Sequence, residues 1–404
     1  MSIPMRPILS ALLRNRTGAL LVALQISIAL AVLVNAVYIV KQRIDLIGRP
    51  TGIDVANIFV VASTGFARGF NYEGALRDDL AYFRSVPGVI AATPINSLPL
   101  SGGGSATMLA IIPGDTVHWL RGNYFEVNEQ GLQTLGLHLI AGRNFRPDEV
   151  LPPPESSQAN VTSQIIVTKA YAQRLFPNGS ALGKTVYDAV KDPVTIIGIV
   201  DNMMGSWVDD EHPEEVFMMP RAPTGPTVRY LVRTEPGSRD AIMRTVEGHI
   251  SSSNPNRSIN WVRTLERYKD RSYLKDRNMG IFLATVTSLL LAITTLGIFG
   301  LATFNVSTRT KQIGTRRAVG ARQRDIVRYF LTENWFITTA GVILGCAMAL
   351  GVGYWLSHEY HLPRVDLYYL VAGVLVLWAI GLLASWQPAR RAAKISPAVA
   401  ARTV

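Results

Sequence analysis

The 404-residue sequence contains a single cysteine, Cys346. Disulfide bonds within the chain are therefore excluded, and every folded domain must be stable without them. Cys346 lies in an apolar run, where a thiol does not ionise readily, so it is not expected to act as a catalytic nucleophile.

Signatures of catalytic and metal sites are also scarce. The sequence has no G-x-S-x-G motif, and its six histidines do not show metal-ligand spacing with cysteine or carboxylates. His358 and His361 flank Glu359, where a solvated loop is the favoured interpretation and a metal site the alternative. For the acidic cluster near Trp207 the favoured interpretation is again a solvated loop, and contact with a cationic ligand or partner is the alternative; its members are Asp209, Asp210, Glu211, Glu214 and Glu215.

Charge is absent from four long stretches. Residues 18–40, 279–304, 335–356 and 368–386 contain no Asp, Glu, Lys or Arg. Each has close to the roughly 20 apolar residues that a helix needs to cross a bilayer, and only a helix satisfies its own backbone there. The sequence thus predicts four membrane spans, with a large polar segment between the first and second. Ion-driven transport is disfavoured because charge inside the spans, its usual mark, is missing.

The remaining charge is unevenly distributed. Residues 41–278 carry 25 basic and 25 acidic side chains, whereas the segments 1–17, 305–334 and 387–404 are strongly basic. Because short basic loops stay in the cytoplasm, we predict that both termini are cytoplasmic and that the large domain lies outside. The pI near 9.8 does not indicate nucleic-acid binding, since the folded domain is formally neutral. Topology signals and contact with anionic lipid explain the basic clusters.

The sequence predicts further divisions of the chain. Residues 1–17 form an interfacial helix before the first span, residues 357–367 form an outer turn, and residues 41–278 form an α+β domain of two subdomains. One subdomain combines residues 41–120 and 221–278, and residues 121–220 are inserted as the second. Strands are predicted at 57–62, 89–94, 108–112, 117–120, 164–168, 194–200, 229–233 and 259–262, and helices at 72–85, 130–137, 169–176 and 238–250.

Small residues recur at four-residue spacing in two spans. In the third they are Gly341, Gly345, Ala349 and Gly353, and in the first they are Ala19, Ala23, Ser27, Ala31 and Asn35. This spacing favours close helix packing. The alternative is the general enrichment of Gly and Ala in membrane helices.

Three fragments imitate motifs of nucleotide hydrolases. In NGSALGKT, residues 178–185, Asn178 stands where a phosphate-binding loop needs its first glycine. LSGGG, residues 100–104, departs from the LSGGQ signature of transport ATPases and precedes the lysine motif, which reverses the order of that family. The apolar run at 196–201 ends in Asp201 without a following Glu. All three lie in the domain predicted to be outside the cell, so glycine-rich turns are the better interpretation.

The segment after the second span resembles a known family. Residues 309–322 read RTKQIGTRRAVGAR, which is similar to the R-x-x-E-I-G-x-x-R-A-x-G-A segment of FtsX-like permeases. The tail PARRAAKISPAVA, residues 388–400, is similar to their P-A-x-x-A-A-x-x-x-P-x-x-A ending. Residues 141–145, 176–186 and 197–201 resemble parts of the periplasmic core domain of the macrolide-exporter branch. By this likeness the two outer subdomains are porter-like and sabre-like.

The resemblance implies that residues 305–334 form a cytoplasmic coupling segment that docks on an ATPase. Arg316 and Arg317 would face the ATPase, and Gly314 with Gly320 and Ala321 would permit a tight turn. Gln312 replaces the usual Glu of the family, so an ion pair at that position is not carried over. The other coupling residues are Arg309, Lys311 and Arg322. A role in topology alone is the alternative for this loop.

The implied function is that of a non-catalytic permease subunit of an ATP-driven ABC transporter in the bacterial inner membrane. ATP and Mg would bind a separate cytoplasmic ATPase, and this chain would bind no cofactor. A second identical or paralogous permease is expected, with a periplasmic adaptor and an outer-membrane channel as further partners in a Gram-negative cell. The alternatives are a lipoprotein-extracting permease and a signalling subunit that regulates envelope enzymes.

Overall fold

A computed structural model describes residues 16–114, 117–152, 161–360 and 366–394. The chain divides into two compact units, one of Arg49–Lys275 and one of Met1–Gly48 with Asp276–Val404. Almost all of the predicted interfacial helix at 1–17, the end of the tail from 395 onward, and His361 lie outside the described residues. We call the first unit the outer domain and the second the helical unit.

The described part of the helical unit starts with α1 (Arg16–Ile47), after which the outer domain alternates strands and helices. Its elements in chain order are β1 (Ile58–Gly65), α2 (Tyr72–Ser85), β2 (Val89–Ile95), β3 (Ala106–Leu109), β4 (Leu120–Val127), α3 (Gly131–Leu135), β5 (Leu139–Gly142), β6 (Gln164–Thr168), α4 (Lys169–Leu175), β7 (Thr185–Tyr187), β8 (Pro193–Val200), β9 (Val216–Pro220), β10 (Thr227–Thr234), α5 (Arg239–Ser253), β11 (Arg257–Thr264) and α6 (Leu265–Ser272). A short 3-10 turn at Pro147–Glu149 follows β5.

The first sheet of the outer domain joins the two ends of its sequence. Its order is β11-β1-β10-β2, and every neighbouring pair is antiparallel. Helices α2 and α5 cover one face through an apolar core that includes Phe83, Tyr230 and Val246. This is the split β-α-β arrangement. Each helix connects two parallel strands that have one other strand between them: α2 connects β1 and β2 on either side of β10, and α5 connects β10 and β11 on either side of β1.

The second sheet is built from the inserted segment. Its order is β3-β4-β9-β6-β8-β5, and β7 pairs with β8 at the same edge. Tyr171 of α4 is fully buried against Phe217 of β9, with the ring centroids 6.0 Å apart. Strand β3 pairs with β4. The second sheet therefore includes residues before 121, the position at which the sequence predicted that the inserted subdomain begins. The reason is that β3 finds its hydrogen-bond partner in the next strand along the chain.

Among the described residues, four helices are long and apolar enough to cross a membrane. They are α1, α7 (Leu274–Thr308), α9 (Gln323–Tyr360) and α10 (Leu367–Ala393), and a short helix, α8 (Thr310–Ala318), separates α7 from α9. The predicted fold class, a four-span helical membrane domain with a large α+β domain, is confirmed. At 1.5 Å per residue the 35 residues of α7 extend about 52 Å, more than the roughly 30 Å of hydrocarbon.

The long helices continue past the uncharged stretches. Helix α9 reaches Tyr360, so it enters the segment 357–367 that the sequence assigned to a turn. Helix α10 continues to Ala393 although Pro388 lies within it. Proline lacks the N–H that would bond the carbonyl four residues earlier, so one helical hydrogen bond is missing at this point of α10.

Helix α9 is packed between α1 and α10, while α7 is much more exposed. The shared core contains Ile26 and Leu30 of α1, Val342 of α9 and Leu377 of α10. By contrast, the buried residues of α7 are Thr287, Thr294, Ile298 and Asn305.

Candidate functional site

The predicted coupling segment contains α8, which is anchored through one apolar side chain. Arg309, with φ −110° and ψ 17°, separates the end of α7 from α8. Ile313 is only 4% exposed and packs in a cluster with Ile326 and Phe330 of α9 and with Ala389 and Ala392 of α10. Thus α8 rests on the ends of two of the long helices.

Two arginines tie α8 to the same two helices. The Arg309 Nη1 atom lies 2.9 Å from Glu333 Oε2 of α9, and these side chains are 17% and 4% exposed. Arg317 donates from Nη1 to the backbone carbonyl of Ala393 at the end of α10. Breaking a pair this buried would leave an uncompensated charge, which is strongly destabilising. The pair therefore holds Arg309, the residue before α8, against α9.

The turn after α8 depends on Gly320. Its φ is +101°, a conformation that residues with a Cβ adopt rarely. The Gly320 N–H donates to the Arg317 carbonyl and the Ala321 N–H to the Arg316 carbonyl, which is the Schellman pattern of a helix end. Helix α9 then starts with the Arg322 N–H donating to the Asp325 carboxylate at 3.0 Å.

Gly314 does not have the role expected from the sequence. It lies within α8 and is buried, so it does not form part of the turn. Ile313, its neighbour, is the residue that packs on α9 and α10.

Several residues of α8 and the following turn remain exposed. They are Lys311, Gln312, Arg316, Gly320 and Arg322, while Ala321 is half-buried. The guanidinium of Arg316 lies over the ring of Tyr329, 5.0 Å from its centroid. Arg317, which is also predicted to face the ATPase, is half-buried, and its guanidinium donates to the Ala393 carbonyl.

Val319 was not singled out from the sequence, yet it is 85% exposed at the end of α8. An apolar side chain between basic residues and a turn glycine is the signal that could have identified it. Together with Lys311 and Gln312 it gives α8 an outward surface with both apolar and polar groups. Such a mixture suits contact with another protein.

The small residues of α9 lie against α1. A Cβ on Gly341 would be 2.7 Å from the Ala23 carbonyl oxygen, and one on Gly345 would be 2.9 Å from Leu30 Cβ. Ser27 of α1 donates from Oγ to the Gly341 carbonyl at 2.8 Å. Ala349 is buried and its carbonyl accepts from Asn35 at 3.3 Å, and Gly353 is buried as well.

Two members of the acidic cluster near Trp207 are paired with arginines. Glu215 is 5% exposed and contacts Arg174 at 2.6 Å, and Asp210 pairs with Arg121, whose guanidinium lies over Trp207. Within the described part of the chain, no group of three or more His, Cys, Asp or Glu side chains could hold a metal ion.

The chain matches two family models. Residues 19–248 match the MacB-like periplasmic core domain, and residues 284–397 match the FtsX-like permease C-terminal domain. The second match includes α8 and its turn. The first covers more than half of the chain.

Curated relatives show the same likeness at low identity. The macrolide export ATP-binding/permease protein MacB of Chromobacterium violaceum is 24% identical over 65% of this chain and 40% of its own length. The probable syringafactin export ATP-binding/permease protein SyfD of Pseudomonas syringae pv. tomato is 23% identical over 96% of this chain and 57% of its own. The chain therefore spans about half the length of the curated relatives it matches.

Among solved structures, the periplasmic region of MacB from Actinobacillus actinomycetemcomitans aligns with 56% of this chain and 97% of its own, at 16% identity and a TM-score of 0.35. The two family matches, which together extend from residue 19 to residue 397, decide the assignment. The chain belongs to the MacB/FtsX-like family of ABC transporter permeases.

Proposed function

We propose that this chain is the permease subunit of an ATP-driven transporter of the macrolide-exporter type, and that α8 is the helix on which the ATPase acts. The observation that carries the proposal is the two-sided character of α8. Ile313, Arg309 and Arg317 fix it to α9 and α10, while Lys311 and Val319 are exposed. A force applied to the exposed side would therefore move the ends of the long helices.

The path toward the outer domain runs through α7. Only Arg309 separates α8 from α7, and α7 is one uninterrupted helix from Leu274 to Thr308. Its first residue follows closely on α6, the last helix of the outer domain. A rigid helix transmits a displacement along its length, so motion of α8 would reach the outer domain without passage of substrate through the helical unit.

Partners follow from this mechanism. ATP and Mg would bind a separate cytoplasmic ATPase, and this chain would contribute no catalytic residue. A second permease, identical or paralogous, would complete the membrane part, and the periplasmic domain would engage an adaptor and an outer-membrane channel for export. The basic segments around α8 and after α10 support an inner-membrane location with both termini in the cytoplasm.

The test is the stimulation of ATP hydrolysis in the partner ATPase reconstituted with the full-length chain. Changing Val319→Asp together with Lys311→Glu places two acidic groups on the exposed side of α8. We expect ATPase stimulation to fall by on the order of tenfold, because the proposed interface with the ATPase would lose both the apolar contact of Val319 and the positive charge of Lys311. Neither side chain is buried, so membrane insertion should be unaffected.

A matched control introduces the same charges in the outer domain, as Val190→Asp with Lys184→Glu. Both positions are exposed, and this variant should stimulate the ATPase as well as the unmodified chain. Equal stimulation by the α8 variant and the control would overturn the proposal.

A further inference from the structure

A second feature of the helical unit is an open groove between the ends of α9 and α10. Its volume is about 940 Å³. Five basic side chains line it, and all five are exposed: Arg324, Arg328, Arg390, Arg391 and Lys394. None of the described lining residues is acidic.

These cations differ from the arginines that hold α8 in place. Arg309 is neutralised by Glu333, and Arg317 is bound to a backbone carbonyl. No ion pair between described residues includes any of the five groove cations. Their shared positive charge is therefore available to an anionic ligand.

The other end of the groove is apolar and aromatic. Trp335, Leu382 and Trp386 line it and are 39%, 40% and 45% exposed. Trp335 is the first residue of one uncharged stretch and Trp386 the last of another. The groove therefore crosses the boundary between the charged helix ends and the apolar, membrane-spanning part of the helices, where tryptophan is characteristically placed.

One contact links the two ends of the groove. The Arg390 guanidinium lies over the ring of Trp386, 4.8 Å from its centroid. This stacking directs a cation toward the aromatic end while leaving its N–H groups free to bind an anion.

We propose that this groove binds an anionic phospholipid, with the phosphate at the arginines and the acyl chains along Trp335, Leu382 and Trp386. The charge of the groove matches a phosphate headgroup, since basic pockets between membrane helices bind such lipids. Its apolar end adjoins the hydrocarbon-facing surface of the helices, which a lipid tail can occupy and a water-soluble protein cannot. The inference requires neither the ATPase nor any particular cargo.

The test uses the full-length chain, equilibrated with equal amounts of phosphatidylglycerol and phosphatidylcholine and analysed by native mass spectrometry. The unmodified chain should retain phosphatidylglycerol preferentially. The variant Arg328→Gln with Arg391→Gln should retain on the order of tenfold less, because each cation contributes separately to attraction of an anionic headgroup.

The control is Lys311→Gln with Arg322→Gln, which removes the same charge from nearby exposed positions that do not line the groove. This variant should keep the preference for phosphatidylglycerol. Equal loss in both variants would mean that net charge alone attracts the lipid, and undiminished retention in the groove variant would overturn the site. Loss of ATPase binding with unchanged lipid retention would instead make the groove a protein-docking surface.

A second measurement does not depend on the arginine variant folding normally. Phosphatidylglycerol with bromine on its acyl chains should quench part of the tryptophan fluorescence, and Trp386→Phe should remove a fraction of that quenching. The same fraction quenched with and without Trp386 would contradict the placement of the acyl chains.

Discussion

At the scale of single residues, two glycines of α9 determine how closely it approaches α1. Gly341 and Gly345 lie where any side chain would meet the backbone or Cβ atoms of α1 at less than 3 Å. Gly351 belongs to the same helix but has no atom within 4 Å of the position that a Cβ would take. Gly341 and Gly345 are thus required for close packing of α9 on α1, whereas Gly351 is not.

We expect Gly345→Leu to destabilise the helical unit by about 1–3 kcal/mol, because the added side chain forces α1 and α9 apart. Gly351→Leu should have little effect, since its surroundings are open. The comparison is made from the midpoints of unfolding in mixed detergent micelles. Similar midpoints for the two variants would show that the Gly345 contact does not limit packing.

Residue roles were only partly predictable from the sequence. Four-residue spacing identified the glycines that lie against α1, because helical periodicity places such residues on one face. The inward direction of Arg317 could not be predicted, since the carbonyl that it binds belongs to Ala393, 76 positions away. The exposure of Val319 was not predicted for a related reason: it depends on where the neighbouring helices end.

At the scale of elements, the sequence predicted the bounds of some helices and strands and missed others. Helix α2 and strand β6 have the predicted bounds, 72–85 and 164–168. Strand β9 was not predicted, because its sequence, VFMMP, neither alternates nor has the run of β-branched residues that marks β6, QIIVT. Strand β7 has only three residues, too few for a pattern, and it is stabilised by pairing with β8.

The 3-10 turn at Pro147–Glu149 gives the outer domain a pH-dependent element. Glu149 accepts hydrogen bonds from Arg143 at 2.6 and 2.8 Å and from the Arg146 backbone N–H at 2.8 Å. The hydrogen bonds from Arg143 lower the pKa of Glu149 to about 2 from its usual 4.5. The ionised carboxylate thus stabilises the folded state fully above pH 4.5, and this contribution is lost as the pH falls from 4.5 toward 2.

We therefore expect Glu149→Gln to lower the free energy of unfolding at neutral pH, and the difference from the unmodified chain to shrink as the pH falls from 4.5 toward 2. Urea unfolding of the full chain at a series of pH values measures this. A difference between the two chains that is constant across this range would contradict the assigned role of the Glu149 carboxylate.

At the scale of the whole molecule, charge placement predicts that α8 is cytoplasmic and that the outer domain lies on the other side of the bilayer. Cys346 is the sole cysteine, so a Cys346→Ala chain can carry one new thiol at a chosen place. In intact cells, an impermeant maleimide should label Ser180→Cys, an exposed position of the outer domain, and should not label Lys311→Cys of α8. After permeabilisation both should react.

Labelling of Lys311→Cys before permeabilisation would show that α8 lies outside the cell, where it could not contact a cytoplasmic ATPase. Protection of both thiols would place the outer domain in the cytoplasm.

The missing hydrogen bond at Pro388 has a mechanical consequence for this arrangement. Ala389, Ala392 and Ala393, which receive α8, all lie beyond the proline, whereas Leu370 and Leu377, which contact the other spans, lie before it. A proline inside a helix concentrates bending at one point. If α8 moves as proposed, the last turn and a half of α10 would bend with it at Pro388, while the part of α10 before the proline would keep its contacts with the other spans.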